Sequence, residues 1–208
     1  MHGFPGGLRV CLSTAAIILS GLLAAPAVAQ SAEPVQPAAR RLVDAPPGFL
    51  DSCRRYPWFC ANRATGAGPI GQADLLELAA RINRRVNVSV SQLSDPENYG
   101  VADYWTLPTN GNGDCEDFVL QKYKLLLDAG VDSRDLSIAV VLDRHGDNHA
   151  VLVLRHGSGD LVLDSLTSGI RLWNRTGYTF LAMQSGDDKT QWEVVMNQPR
   201  DSNVLARR

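Results

Sequence analysis

The chain has 208 residues, 20 Lys+Arg against 22 Asp+Glu, and a hydrophobic fraction of 45%. That length suits one domain with appendages, the apolar fraction excludes wholesale disorder, and the near-neutral charge leaves no electrostatic footprint for nucleic acid. Four Cys are too few for a disulfide-built mini-protein, so the fold must rest on a hydrophobic core.

The first residues read as an address. Arg9 precedes an apolar run from Val10 to Ala25, and Ala27-Val28-Ala29 has the small-residue shape of a cleavage site. The run is short of the ~20 residues a membrane span needs. We therefore expect a secretory signal over residues 1–29, export to the periplasm, and no membrane-spanning segment after cleavage. Removal of the signal takes Cys11 with it and leaves Cys53, Cys60 and Cys115. Cys53 and Cys60 lie close together in one segment and are the expected pair in an oxidising compartment, which makes Cys115 the odd thiol.

Residues 30–47 are rich in Ala, Pro and Gln and read as a disordered or extended leader. The folded domain is expected over 48–196, with a loose polar tail over 197–208. Residues 48–69 carry aromatics and the Cys pair and should pack as an irregular segment. From Gln72, the spacing of Leu75, Leu78, Ala79, Ile82 and Val86 predicts a helix, with Arg81, Arg84 and Arg85 on its solvated face. Residues 87–109 read as a loop.

Asn110-Gly111-Asn112-Gly113 is a turn signal. Asp114 follows as an N-cap, with Asp117 in capping-box position, and a helix runs through Phe118, Leu120, Tyr123, Leu126 and Leu127 to a C-terminal Gly130. The period then shortens. Ile138–Leu142, Ala150–Leu154 and Leu161–Leu163 read as strands separated by turns, with one or two more between Gly169 and Val195. Helices first and an antiparallel meander after them make an α+β fold.

Cys115 falls at the first turn of the second helix, where backbone N–H groups and the helix dipole favour a thiolate. His145 and His156 sit in turns and read as solvated. His149 opens the second strand and Asp164 closes the third. A four-residue loop over 156–159 sets 155 opposite 160 and 149 opposite 166, which makes Asp164 the diagonal neighbour of His149 on one face. An imidazole beside a carboxylate can be oriented by it and can activate a thiol. Trp105 reads as a packed aromatic, although its indole N–H could also serve an oxyanion.

The blocks Gly113-Asp114-Cys115-Glu116-Asp117-Phe118, His149-Ala150-Val151-Leu152 and Leu161-Val162-Leu163-Asp164-Ser165-Leu166, in that order, resemble the bacterial transglutaminase-like cysteine proteinases. These are relatives of papain-like enzymes and include the LapG-type adhesin proteases. Trp58-Phe59-Cys60, Val86-Asn87 and the stretch Tyr99 to Trp105 extend the likeness. The resemblance implies a papain/transglutaminase-like fold and a catalytic triad of Cys115, His149 and Asp164. It further implies dependence on Ca²⁺, cleavage of a large surface adhesin near its N-terminus, and sequestration by the periplasmic domain of an inner-membrane cyclic di-GMP receptor. Calcium has a physical logic here. Asp114, Glu116 and Asp117 flank the thiol and oppose its ionisation, and an oxygen-coordinated cation would neutralise them. Asp114 and Glu116 are the first candidates as ligands, with Asp117 either a third ligand or a helix cap. The same triad could transfer the acyl group to an amine, as a transglutaminase or amidase does. The scaffold could also be a catalytically silent binding module.

Overall fold

The apolar periodicity that opens at Gln72 produces the first long helix of the computed structural model, which describes residues 41–62 and 70–197. Before it come β1 (Leu42–Val43), α1 (Phe49–Arg55) and a 3₁₀ turn over Pro57–Phe59. The long helix, α2 (Gln72–Ser89), buries Leu75, Ala79, Ile82 and Val86 and turns Arg81, Arg84 and Arg85 outward, as the spacing predicts. Residues 87–109, read from sequence as loop, contain β2 (Ser91–Gln92) and the single turn α3 (Asp95–Asn98). β2 pairs in parallel with β3 (Asn112–Gly113), so the exit of α2 is tied to the residues just ahead of Cys115.

α4 (Cys115–Asp128) is the central helix. Val131 N–H donates to Leu126 O at 3.0 Å and Gly130 N–H to Leu127 O at 3.0 Å, a Schellman closure with Gly130 at φ +95°. Its apolar face, with Phe118, Leu120, Tyr123 and Leu126, lies on a sheet. That sheet comprises β4 (Leu136–Leu142), β5 (Asn148–Leu154), β6 (Leu161–Leu163), β7 (Arg171–Leu172), β8 (Thr179–Gln184) and β9 (Trp192–Asn197), with β1 at one edge.

Three expectations are corrected. The sheet is not a simple meander, because its order is β1-β9-β8-β4-β5-β6-β7. After β7 the chain crosses back and lays β8 on the free edge of β4. The leader assigned to 30–47 also stops earlier. Leu42 and Val43 pair antiparallel with Glu193 and Trp192, so these residues belong to the sheet. Asn197, the first residue of the expected 197–208 tail, instead closes β9 by pairing with Phe180, and residues 1–40, which hold the expected signal, and 198–208, the rest of that tail, lie outside the described residues.

The sheet divides the core by strand alternation. Leu136, Ile138, Ala150, Leu152, Leu154, Leu161 and Leu163 face α2 and α4. Ala139, Val141, Val151, Val153, Val162, Tyr178 and Phe180 form a second cluster on the other face. Phe49, Trp105 and Trp192 stack edge-on at 5.1–6.4 Å and seal the first cluster at the α1 end. Trp105 is thus a packed core aromatic. The expected disulfide is present between Cys53 and Cys60, with Cα atoms 5.7 Å apart, and Cys115 is the free cysteine among the described residues.

Candidate active site

The register expected of the β5–β6 hairpin is the one observed: Leu152 faces Leu163, Val153 faces Val162 and Leu154 faces Leu161. That pairing sets His149 and Asp164 on the same sheet face, and His149 Nε2 and Asp164 Oδ1 are 2.8 Å apart. Both side chains are buried. Asp164 is saturated with partners. Its Oδ1 also accepts the Leu166 N–H at 3.0 Å, and its Oδ2 accepts the Tyr178 hydroxyl at 2.6 Å. Burial pushes this carboxyl up, but the hydrogen bonds from His149, Tyr178 and Leu166 outweigh it and hold the group below its usual range. Asn87 of α2 supports the strand end from behind by donating to the Asp164 carbonyl at 2.8 Å.

Cys115 begins α4, behind Asp114. Asp114 occupies the expected N-cap position, but its carboxylate makes no cap bond to the helix and instead accepts the Asp95 N–H at 3.3 Å. The thiol donates to Glu116 Oε2 at 2.9 Å. Burial raises the thiol well above its ordinary pKa, and the Glu116 charge raises it further. The Ala150 N–H faces the sulfur and pulls the other way. The helix tip therefore meets β5 at the residue next to His149. No hydrogen bond joins the sulfur to the imidazole, whose Nε2 is committed to Asp164 and whose Nδ1 is left for another partner. His145 is exposed, and His156 bonds to Ser158 and to the Gln72 carbonyl, so neither approaches the site.

Around the thiol lies an acidic cluster larger than the sequence suggested. Carboxylate oxygens of Asp95, Asp103 and Glu116 lie within 4.8 Å of one another, and so do those of Asp95, Asp114 and Asp117. Four of these residues keep a buried oxygen without a hydrogen-bond partner: Asp95 Oδ1, Asp103 Oδ1, Asp114 Oδ1 and Asp117 Oδ2. Burial, reinforced by Asp114, pushes Glu116 up to about 8. Burial also pushes Asp117 up to about 8, although its Oδ1 accepts the Thr106 N–H at 2.8 Å. Asp103 and Asp114 are raised by the same cause. Five acids converge here, and their buried orphan oxygens are costly unless a positive charge answers them. Hard oxygen donors at this density are the donor set of a Ca²⁺ site, so the residues fit that ion. All three acids named from sequence are in the cluster. Asp95 and Asp103 were missed because they sit in a segment read as plain loop. The visible signal was Ser94-Asp95-Pro96, a helix-start pattern inside that loop.

A free thiol at a helix tip against a sheet bearing a histidine–carboxylate pair defines a transglutaminase-like α+β fold. Residues 39–200 match the family described as bacterial transglutaminase-like cysteine proteinase, and the chain belongs to that family. Among solved structures it is similar to Legionella pneumophila LapG in a calcium-bound form, at 24% identity over 65% of this chain and 82% of that one, with a TM-score of 0.49. It is also similar to an EGTA-treated form of L. pneumophila LapG, at 30% identity over 52% of this chain and 62% of that one, with a TM-score of 0.46. No curated protein matches the chain.

Proposed function

We propose that the chain is a calcium-dependent cysteine endopeptidase of the periplasm, with Cys115 as nucleophile, His149 as general base and acid, and Asp164 as the group that orients His149. By family resemblance its substrate is a large surface adhesin, and a cyclic di-GMP receptor in the inner membrane is its sequestering partner. The observation that carries the reading is a free thiol at the tip of α4 amid five convergent acids, facing the N–H of Ala150, the strand residue that follows His149 of the His149–Asp164 pair.

The chemistry follows from the bonds each residue makes. Asp164 accepts from Nε2, which fixes the tautomer and leaves Nδ1 free of a proton. Nδ1 takes the thiol proton as Cys115 Sγ attacks the peptide carbonyl carbon. The Cys115 N–H at the helix start is placed to donate to the oxyanion. The C–N bond then breaks, His149 returns the proton to the leaving amine, and a thioester remains on Cys115. Water, deprotonated by His149, attacks the thioester and releases the acid and the thiol. Asp95, Asp103, Asp114, Glu116 and Asp117 would hold calcium. When bound there, the ion would supply the positive charge that answers the acids crowding the thiol.

The test is cleavage of the N-terminal region of a large surface adhesin by the mature protein. EGTA should abolish it, added calcium should restore it, and Cys115→Ala should lack it in both conditions. Undiminished cleavage in EGTA would remove the ion from the mechanism, and cleavage by Cys115→Ala would remove the nucleophile.

A further inference from the structure

The geometry points to Tyr178 as a positioning residue for the His149–Asp164 pair, an inference that rests on the triad proposed above. Two contacts converge on this side chain. Its hydroxyl donates to Asp164 Oδ2 at 2.6 Å, while Oδ1 is taken by His149 Nε2 and the Leu166 N–H. A carboxylate held by one oxygen can swing about its Cβ–Cγ bond, whereas one held by both cannot. The Tyr178 ring also meets the His149 ring edge-on, with centroids 6.0 Å apart and planes at 87°. One residue thus fixes the carboxylate through its hydroxyl and limits the tilt of the imidazole through its ring.

Tyr178 is itself held by contacts that do not involve the pair. Its N–H donates to Thr176 Oγ1 at 3.1 Å, and Thr176 Oγ1 donates to the Trp173 carbonyl at 2.7 Å. Arg144, from the turn between β4 and β5, donates through Nε to the Thr176 carbonyl at 2.8 Å. Tyr178 is 5% exposed and packs in the outer cluster with Val151 and Phe180. The phenol therefore reaches Asp164 from a turn braced by backbone contacts, and it sets the carboxylate rather than following it. Asp164 held in this way keeps the Nε2 proton on His149 and leaves Nδ1 ready to accept the thiol proton.

The test uses the calcium-supplemented mature chain and two readouts that need no substrate. The first is the downfield proton resonance of His149 Nε2–H, and the second is the rate at which iodoacetamide alkylates Cys115. Tyr178→Phe keeps the ring and removes the hydroxyl. It is expected to broaden the imidazole resonance through faster exchange with water and to slow alkylation about 10-fold, with the unfolding temperature measured alongside. A folded Tyr178→Phe chain with an unaltered resonance and rate would overturn the assignment. A second measurement needs no change at Tyr178. The Tyr178 hydroxyl proton of the unsubstituted chain should exchange slowly and be lost to view in Asp164→Ala. Rapid exchange of that proton would overturn the proposal as well. The triad reading fails separately: if His149→Ala leaves alkylation unchanged, the triad falls and takes this inference with it.

Discussion

A half-buried thiol that hydrogen-bonds to a carboxylate is a poor nucleophile until that carboxylate's charge is answered. Burial raises the Cys115 pKa and Glu116 adds to it, while the positive end of α4 and the Ala150 N–H work in the opposite sense. Glu116 is thus both a candidate calcium ligand and the brake on the thiol in the ion's absence. The substitution Glu116→Gln separates the two roles. In EGTA at a pH above about 8, where Glu116 is ionised, it removes the charge that disfavours the thiolate, so iodoacetamide should alkylate Cys115 faster than in the unsubstituted protein, by about tenfold for each pKa unit recovered. In calcium the order should reverse, because a ligand is lost. Mass-spectrometric alkylation rates in both conditions check this. Slower alkylation of Glu116→Gln in EGTA would show that Glu116 helps the thiol rather than holding it back.

At the scale of elements, the site depends on how closely β3 approaches α4. A Cβ on Gly113 would lie 2.6 Å from Asp117 Cβ and 2.7 Å from Asp117 Oδ2. Asp117 Cβ is fixed to the helix backbone, so no side-chain rotation relieves the overlap. Gly113→Ala should push β3 and the α4 start apart, weaken calcium binding about tenfold or more for the ~1–3 kcal/mol an overpacked site costs, and slow Cys115 alkylation in calcium. Isothermal titration with calcium reads the first effect. The disulfide segment acts on the same site from further off. Arg55 donates to the Trp105 carbonyl at 2.7 Å and lies over the Tyr104 ring at 4.2 Å, and Tyr56 bonds the Thr106 hydroxyl at 2.9 Å. Thr106 in turn supplies the N–H that Asp117 accepts. Replacing Cys53 and Cys60 with Ser reopens a short loop in the unfolded chain and should lower stability by about 2–3 kcal/mol, readable by urea unfolding. The sequence showed α2, α4 and the β5–β6 register clearly, because each follows from a local period or from loop length. Asp95 and Asp103 were hidden because their role arises only when β2 pairs with β3 and carries their loop onto the tip of α4. Tyr178 was hidden for a related reason: fourteen positions separate it from Asp164, and the crossover to β8 that joins them leaves no mark in periodicity.

For the whole molecule, the acid cluster opposes folding whenever its charge goes unanswered, and the sign of that effect can be worked out. Glu116 and Asp117 sit at about 8 in the folded chain against ordinary values of 4.5 and 3.8. Between those limits the folded protein holds protons that the unfolded chain has released. The contribution of these two acids to the stability of the calcium-free protein should therefore be greatest at low pH within that window and fall as pH rises from about 5 to about 8, while Lys122 and Lys189, which burial lowers to about 7 and about 8, contribute with the opposite sign at the top of the window. Asp164 has the opposite sign, but its depressed pKa costs stability only as pH falls below the ordinary carboxylate range, outside this window. Calcium should remove the fall, since the ion takes the charged form of the acids. At a calcium concentration 100 times the dissociation constant, the gain is about 2.7 kcal/mol, or about 5–10 °C in unfolding temperature for a domain of this size. Thermal unfolding at pH 5, 6.5 and 8, with EGTA and with calcium, measures both effects. The expected result is a calcium increment that grows with pH. An increment independent of pH would mean that the acids are already ionised in the free protein at pH 5, so that calcium binding releases no protons from them.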